Sequence, residues 1–176
     1  MTWEGSVNIP VRVEPSVGRP ADVEYRWDAD TDILSANVRP ADVADVAEKG
    51  RATALELEGE DGSWLILDVR SGRISGVEVA VWPELRTRAN LKPPTGVEDG
   101  TVIVSAVERG SQLAVEVDTT LAAEADQSER TIHFSLGLPR QTRTVRIARG
   151  LLVDIDQRDR LAGFWLLEVP PIPDLP

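Results

Sequence analysis

The chain has no cysteine, which removes disulfides, thiolate zinc centres and cysteine nucleophiles in one step. Its single histidine, His133, has no Gly-x-Ser-x-Gly turn to serve, so a Ser-His-Asp hydrolase has no sequence support. Aromatic residues make up only 5% of the 176, so the core must come mostly from Val, Leu, Ile and Ala. Where Val and Ile alternate with polar residues, such a core favours strands. Long apolar runs are missing too: the best stretches, 64–67 and 164–167, are far too short to cross a bilayer. Met1 leads into Thr-Trp-Glu-Gly without a basic segment or an apolar run, so no signal peptide and no membrane association are expected, and a cytoplasmic protein is. Basic charge is also scarce: 19 Lys and Arg face 30 Asp and Glu, giving a net charge of −11 and a pI near 4.6. The summed field repels phosphates and argues against nucleic acid as a partner. Acid is concentrated in the first hundred residues, where a basic protein partner could dock, although an acidic surface ordinarily serves to keep a bacterial protein soluble.

Against these absences stand two hairpin signatures. Residues 27–34 read Trp-Asp-Ala-Asp-Thr-Asp-Ile-Leu, and residues 65–78 read Leu-Ile-Leu-Asp-Val-Arg-Ser-Gly-Arg-Ile-Ser-Gly-Val-Glu. Both are apolar strands broken by short polar turns, which specifies a β-meander. An alternating strand opens the chain at 7–13, with Pro10 suited to an edge. Strands follow at 23–27, 33–38, 52–58, 63–69 and 73–81. Between them, 40–49 changes to a helical spacing, begins at a proline and is followed by Gly50, so a short helix is predicted there.

Pro83, Pro93, Pro94, Gly96 and Gly100 punctuate the middle of the chain, and the linker is placed at 89–100. It divides a first meander repeat, 1–88, from a second, 101–176, that ends in a Pro-rich tail. Residues 102–117 can be laid on 23–38 without a gap, 131–137 on 53–59, and 151–169 on 64–82 with a small gap. An Ala-rich piece at 118–129 is predicted as the second repeat's helix. One small meander buries too little surface alone, so two should pack together. The expected fold is mainly β: two antiparallel meander repeats packed as a sandwich or partly open barrel, with short helices. The edges such meanders leave are commonly managed by pairing, which makes a homodimer the expected state.

Trp27-Asp28-x-x-x-Asp32-x-Leu34, followed by Leu67-Asp68-x-x-x-Gly72-x-x-Gly76-x-Glu78, resembles the bacterial family known as domain of unknown function 2283. The match covers two short segments of the first half, with 39–62 as an insertion. In the second half, Asp156 would stand opposite Asp68, Gly163 opposite Gly76, and Trp165 opposite Glu78, while the Asp28–Asp32 turn has no acidic counterpart. The resemblance implies a small β-protein without an assigned activity, and if the family has an acidic site only the first half keeps it.

Asp28, Asp30 and Asp32 resemble the opening of a calcium loop, but Ile33 stands where its glycine belongs and Arg39 where the closing Glu belongs. A turn in which Asp caps its own backbone fits better, and no metal or cofactor is expected. Asp68 and Glu78 lie on strands joined by a tight turn and could share one face. Two such carboxylates can do acid–base work, but no nucleophile can be named beside them, and a structural role with Arg70 and Arg73 is the simpler reading. Arg140, Arg143, Arg146 and Arg149 form the one dense basic stretch. On a strand at 144–148, Val145 and Ile147 would point inward and Arg146 outward, so the arginines could receive an acidic partner or neutralise the protein's own carboxylates. Alternation makes His133 a solvated strand residue. Trp27, Trp64, Trp82 and Trp165 fall on strand positions as core or, if exposed in a row, as a stacking surface.

The functional expectation is a non-catalytic binding or interaction protein, with Asp28, Asp32, Asp68, Glu78, Arg143 and Arg146 as its contact residues. The alternatives are a carboxylate-dependent hydrolase using Asp68 and Glu78, with or without a metal, and sugar or small-ligand binding through Trp.

Overall fold

A computed structural model describes residues 8–16, 18–39, 52–105 and 114–173, with the backbone alone for 114–118. Every element among them is a strand. The first eight are β1 (Val11–Pro15), β2 (Asp22–Asp28), β3 (Ile33–Arg39), β4 (Ala52–Gly59), β5 (Trp64–Arg70), β6 (Arg73–Val81), β7 (Leu85–Thr87) and β8 (Glu98–Val104). The remaining six are β9 (Ala114–Thr119), β10 (Leu121–Ala125), β11 (Ile132–Leu136), β12 (Thr142–Ala148), β13 (Leu151–Asp156) and β14 (Leu161–Leu166). Together they form one curled, mixed sheet, a half-barrel.

Alternation sets the faces. In β5, Leu65, Leu67 and Val69 are buried, while Trp64, Ile66, Asp68 and Arg70 point the other way. Tight turns with a residue at positive φ, Asp32 after β2 and Ser71 after β5, close the hairpins.

The same strand order occurs twice. The first half runs β2-β3-β6-β5-β4 and the second β10-β11-β14-β13-β12, each antiparallel throughout. Register repeats as well: Leu34↔Val79, Ala36↔Val77 and Asn37↔Gly76 of β3 and β6 become Ile132↔Leu166, Phe134↔Phe164 and Ser135↔Gly163 of β11 and β14. Each half carries a β-bulge at one matching place, after Asp68 in β5 and after Asp154 in β13. Gly76 and Gly163 sit at equivalent points where strands approach too closely for a side chain. A Cβ on Gly76 would lie 3.0 Å from the Ala36 carbonyl, and one on Gly163 would press harder on the Phe134 carbonyl.

This correspondence of strand order differs in alignment from the sequence expectation. Residues 131–137 take the place of β3 rather than β4, and the counterpart of Asp68 is Asp154 rather than Asp156. Segment 118–129, expected as a helix, is the end of β9, then β10 and a turn: Leu121, Ala123 and Ala125 are buried while Ala122 is exposed and Glu124 half-buried. Pairing on β11 overrides the helical propensity of its alanines. The helix predicted at 40–49 lies outside the described residues. Ile147 is half-buried rather than fully inward, because a bulge after Arg146 turns Ala148 into the core instead.

Nor is the sheet purely antiparallel. β9 lies parallel on β4, β8 on β12, and β7 on β10. Parallel partners need long crossovers, and here those crossovers run between the halves. The Pro- and Gly-rich middle of the chain thus carries β7 and the start of β8. β8 turns the corner: Glu98 and Asp99 pair with β12, its later residues pair with β1, and only Arg73↔Ile103 joins it to β6.

One buried cluster drawn from both halves forms the core, including Leu34, Leu57, Leu67, Val79, Phe134, Val153, Phe164 and Leu166. Each such side chain contributes about 1.5–3 kcal/mol on burial. Polar ends of aromatics join the halves: the Tyr25 hydroxyl donates to the carbonyls of Gly150 or Leu167, and the Trp27 indole N–H to the Pro170 carbonyl at 2.7 Å. Trp82 stacks on Trp27 in its own half and touches Phe134 in the other.

Candidate binding face on the first half

The face of the first half turned away from the core is built from alternate residues. One row crosses it as Asn37, Gly76, Asp68 and Ala54, and the next as Ser35, Glu78, Ile66 and Glu56. Trp64 and Glu58 follow at the rim. Asp68 and Glu78 therefore share a face, as strand parity allowed. Burial raises the Asp68 carboxyl above the usual carboxylate range, and Arg70 offsets this in part. Burial raises Glu78 as well, with the nearby Asp68 charge adding to it. Neither carboxylate has a hydrogen-bond donor among the described residues. Between them Ile66 is half-buried, and Trp64 at the rim is 37% exposed.

Position for position, the second half is different. Asp154 is buried, accepting from Thr144 Oγ1 at 2.7 Å and lying 2.8 Å from His133 Nε2. Where the first half has Glu78, the second has Trp165, buried and stacked on His133 with ring centroids 4.1 Å apart. Leu152 replaces Ile66 and is buried. His133 is thus not the solvated residue that alternation suggested, because its imidazole is held between a carboxylate and an indole. The Trp165 indole N–H is the one buried side-chain donor without a partner among the described residues.

The other predicted contact residues fall elsewhere. Asp28 ends β2 and accepts from the Asp30 amide at 3.0 Å, the self-capping turn that its sequence suggested. Asp32 has φ 57° and gives its carbonyl to the Trp82 indole. No three acidic or histidine side chains gather as metal ligands among the described residues. The Asp28 turn does have an acidic counterpart: Asp126 holds the matching place after β10 and accepts from Ser128, Arg130 and Thr131, which lowers its pKa. Arg143 reaches Glu98 and Asp159, and Arg146 forms a two-toothed pair with Asp99. That bond holds Asp99 below the usual carboxylate range. Both arginines are therefore engaged with the protein's own carboxylates along the parallel β8–β12 seam. The tryptophans form no row: Trp27, Trp82 and Trp165 are held by the fold, and Trp64 alone of the four counts as exposed.

These features define a mainly β protein with a half-buried acidic sheet face on its first half and a closed counterpart on its second. No family model matches the chain, and no curated protein matches it in sequence. No helix among the described residues is long and apolar enough to cross a membrane.

Proposed function

We propose that this chain is a cytoplasmic, non-catalytic interaction protein built from a duplicated meander, and that the half-buried acidic face of its first half binds a basic segment of a partner protein. The carrying observation is the pair of half-buried carboxylates, Asp68 and Glu78, to which the described residues offer no hydrogen-bond donor. An arginine or lysine arriving there replaces lost solvation with charge-assisted hydrogen bonds, and its stem can lie over Ile66 and Trp64. Asp68, Gly76 and Glu78, which carry the resemblance to the domain of unknown function 2283 family, belong to this face, and that supports the reading. Asp28, Asp32, Arg143 and Arg146 are not part of it.

The test is titration of the full chain with an Arg-rich peptide and with its Glu-substituted control. Binding of the Arg-rich peptide alone is expected, at least tenfold weaker for Asp68→Asn/Glu78→Gln. Because a bound cation favours ionised carboxylates whose pKa the fold has raised, affinity should increase as pH rises from about 4 toward 7. Equal binding of both peptides, or no effect of the double substitution, overturns the reading.

The Asp68–Glu78 coupling is also what a carboxylate acid–base pair would show, and it favours a hydrolase as the second reading. Turnover of ester or glycoside substrates that Asp68→Asn abolishes would establish it.

A further inference from the structure

Both halves set an aspartate opposite a glycine, and only one of the two aspartates is supplied with donors. Asp68 lies across from Gly76 and Asp154 across from Gly163. The match extends to the carboxylates: in each half Oδ2 lies 3.3 Å from the position that a Cβ on the facing glycine would take. Asp154 is served from both sides. Thr144 Oγ1 donates to its Oδ1 from β12, and His133 Nε2, on β11, lies 2.8 Å from its Oδ2. A carboxylate can only accept, so the imidazole is the donor. Register assigns the counterparts: Ser35 for His133, Ala54 for Thr144, and Glu78 for Trp165, the indole on which His133 stacks. Alanine has no side-chain donor, and the Ser35 hydroxyl makes no hydrogen bond to Asp68. Arg70, two residues along β5, acts on Asp68 as a charge without donating to it.

We propose that the group the first half takes beside Asp68 is the guanidinium of an arginine in the partner segment, seated where the second half keeps the ring of His133. The assignment rests on the reading of this face as the site for a basic segment, and it names the cation. The second half shows what donor suits an aspartate held in this way. It is flat, it stands over the β11 position that corresponds to Ser35, and it lies against the side chain of the next strand, with ring centroids 4.1 Å apart and planes 18° apart. In the first half the residue at the base of that place is the short Ser35, and its neighbour is the Glu78 carboxylate instead of an indole. A group arriving there therefore meets two acceptors. Asp68 and Glu78 are diagonal neighbours, since Gly76 and Ile66 face them directly, and such pairs lie about 7–8 Å apart. A guanidinium carries five N–H groups along the edges of one plane and can bond both carboxylates at once. An ammonium is a compact point charge that is more strongly hydrated, so it loses more on entering a half-buried site.

The experiment titrates the full chain with two peptides of equal length and charge, one with arginine and one with lysine at every basic position, and repeats the arginine titration on Ser35→His. The arginine peptide should bind wild type at least tenfold more tightly than the lysine peptide. Ser35→His supplies Asp68 with an imidazole of its own, as His133 does for Asp154, and should weaken the arginine peptide at least tenfold, with far-UV circular dichroism checking that the variant is folded. The comparison of peptides uses wild type alone, so it decides the matter even where the variant does not fold. Equal or tighter binding of the lysine peptide overturns the inference while the broader reading survives, since a basic segment still binds. Undiminished binding to folded Ser35→His also overturns it. Failure of both peptides to bind removes the reading and the inference together.

Discussion

Asp156 and Asp68 are carboxylates of opposite fate. The Asp156 carboxyl accepts from Arg140 Nε, from Arg160 Nε, and from the amides of Arg158 and Arg160. Burial would raise its pKa, but these donors outweigh burial and hold it below the usual carboxylate range. A depressed folded pKa contributes stability that is present above the unfolded value, about 3.9, and is lost as pH falls through the folded one. Asp156→Asn should therefore cost about 3–5 kcal/mol at neutral pH, since it leaves two guanidinium groups short of a counter-charge, and should flatten the acid limb of a urea-unfolding series. Asp68 and Glu78 have raised folded values. Their contribution is fully present below the unfolded pKa and is lost as pH rises through the folded one. Asp68→Asn and Glu78→Gln should accordingly leave the protein as stable or more stable at pH 7, by up to ~1 kcal/mol, in the same measurement.

At the level of elements, the bulge after Asp68 and after Asp154 is what brings each aspartate opposite a glycine on the neighbouring strand. Gly163→Ala should destabilise more than Gly76→Ala, by about 1–3 kcal/mol against a smaller loss, because the Phe134 carbonyl sits closer to the missing Cβ than the Ala36 carbonyl does. Denaturant midpoints of the two variants check the ranking. The hairpins β2–β3, β5–β6 and β13–β14 were legible in the sequence, because alternation and turn chemistry are local. The alignment of the halves was not: the turn between β13 and β14 is one residue longer than that between β5 and β6, which sets Asp156 against Asp68, and laying 102–117 on 23–38 passes over Asp126 as the partner of Asp28. The His133–Asp154–Thr144 contacts were equally illegible, since β11 and β13 meet only through β14, which lies between them in the sheet. The Asp68–Glu78 pairing was readable because one short turn separates its strands. Its half-buried setting was not, since burial depends on what packs over a face.

On the scale of the whole molecule, strands from each half cap the other and a single core spans both. Unfolding should therefore be one cooperative transition, with far-UV circular dichroism and Trp fluorescence giving the same midpoint; two separated midpoints would mean that the halves are independent. Trp82 is well placed to report on this. Its ring lies 5.8 Å from Trp27, nearly parallel, and 5.9 Å from Phe134 across the core. Two indoles so close couple their electronic transitions, so the folded chain should carry an exciton couplet near the strong indole absorption band. Trp82→Phe should erase that couplet while leaving the strands intact, giving the protein an optical signature for the moment at which the packing of its first half comes apart.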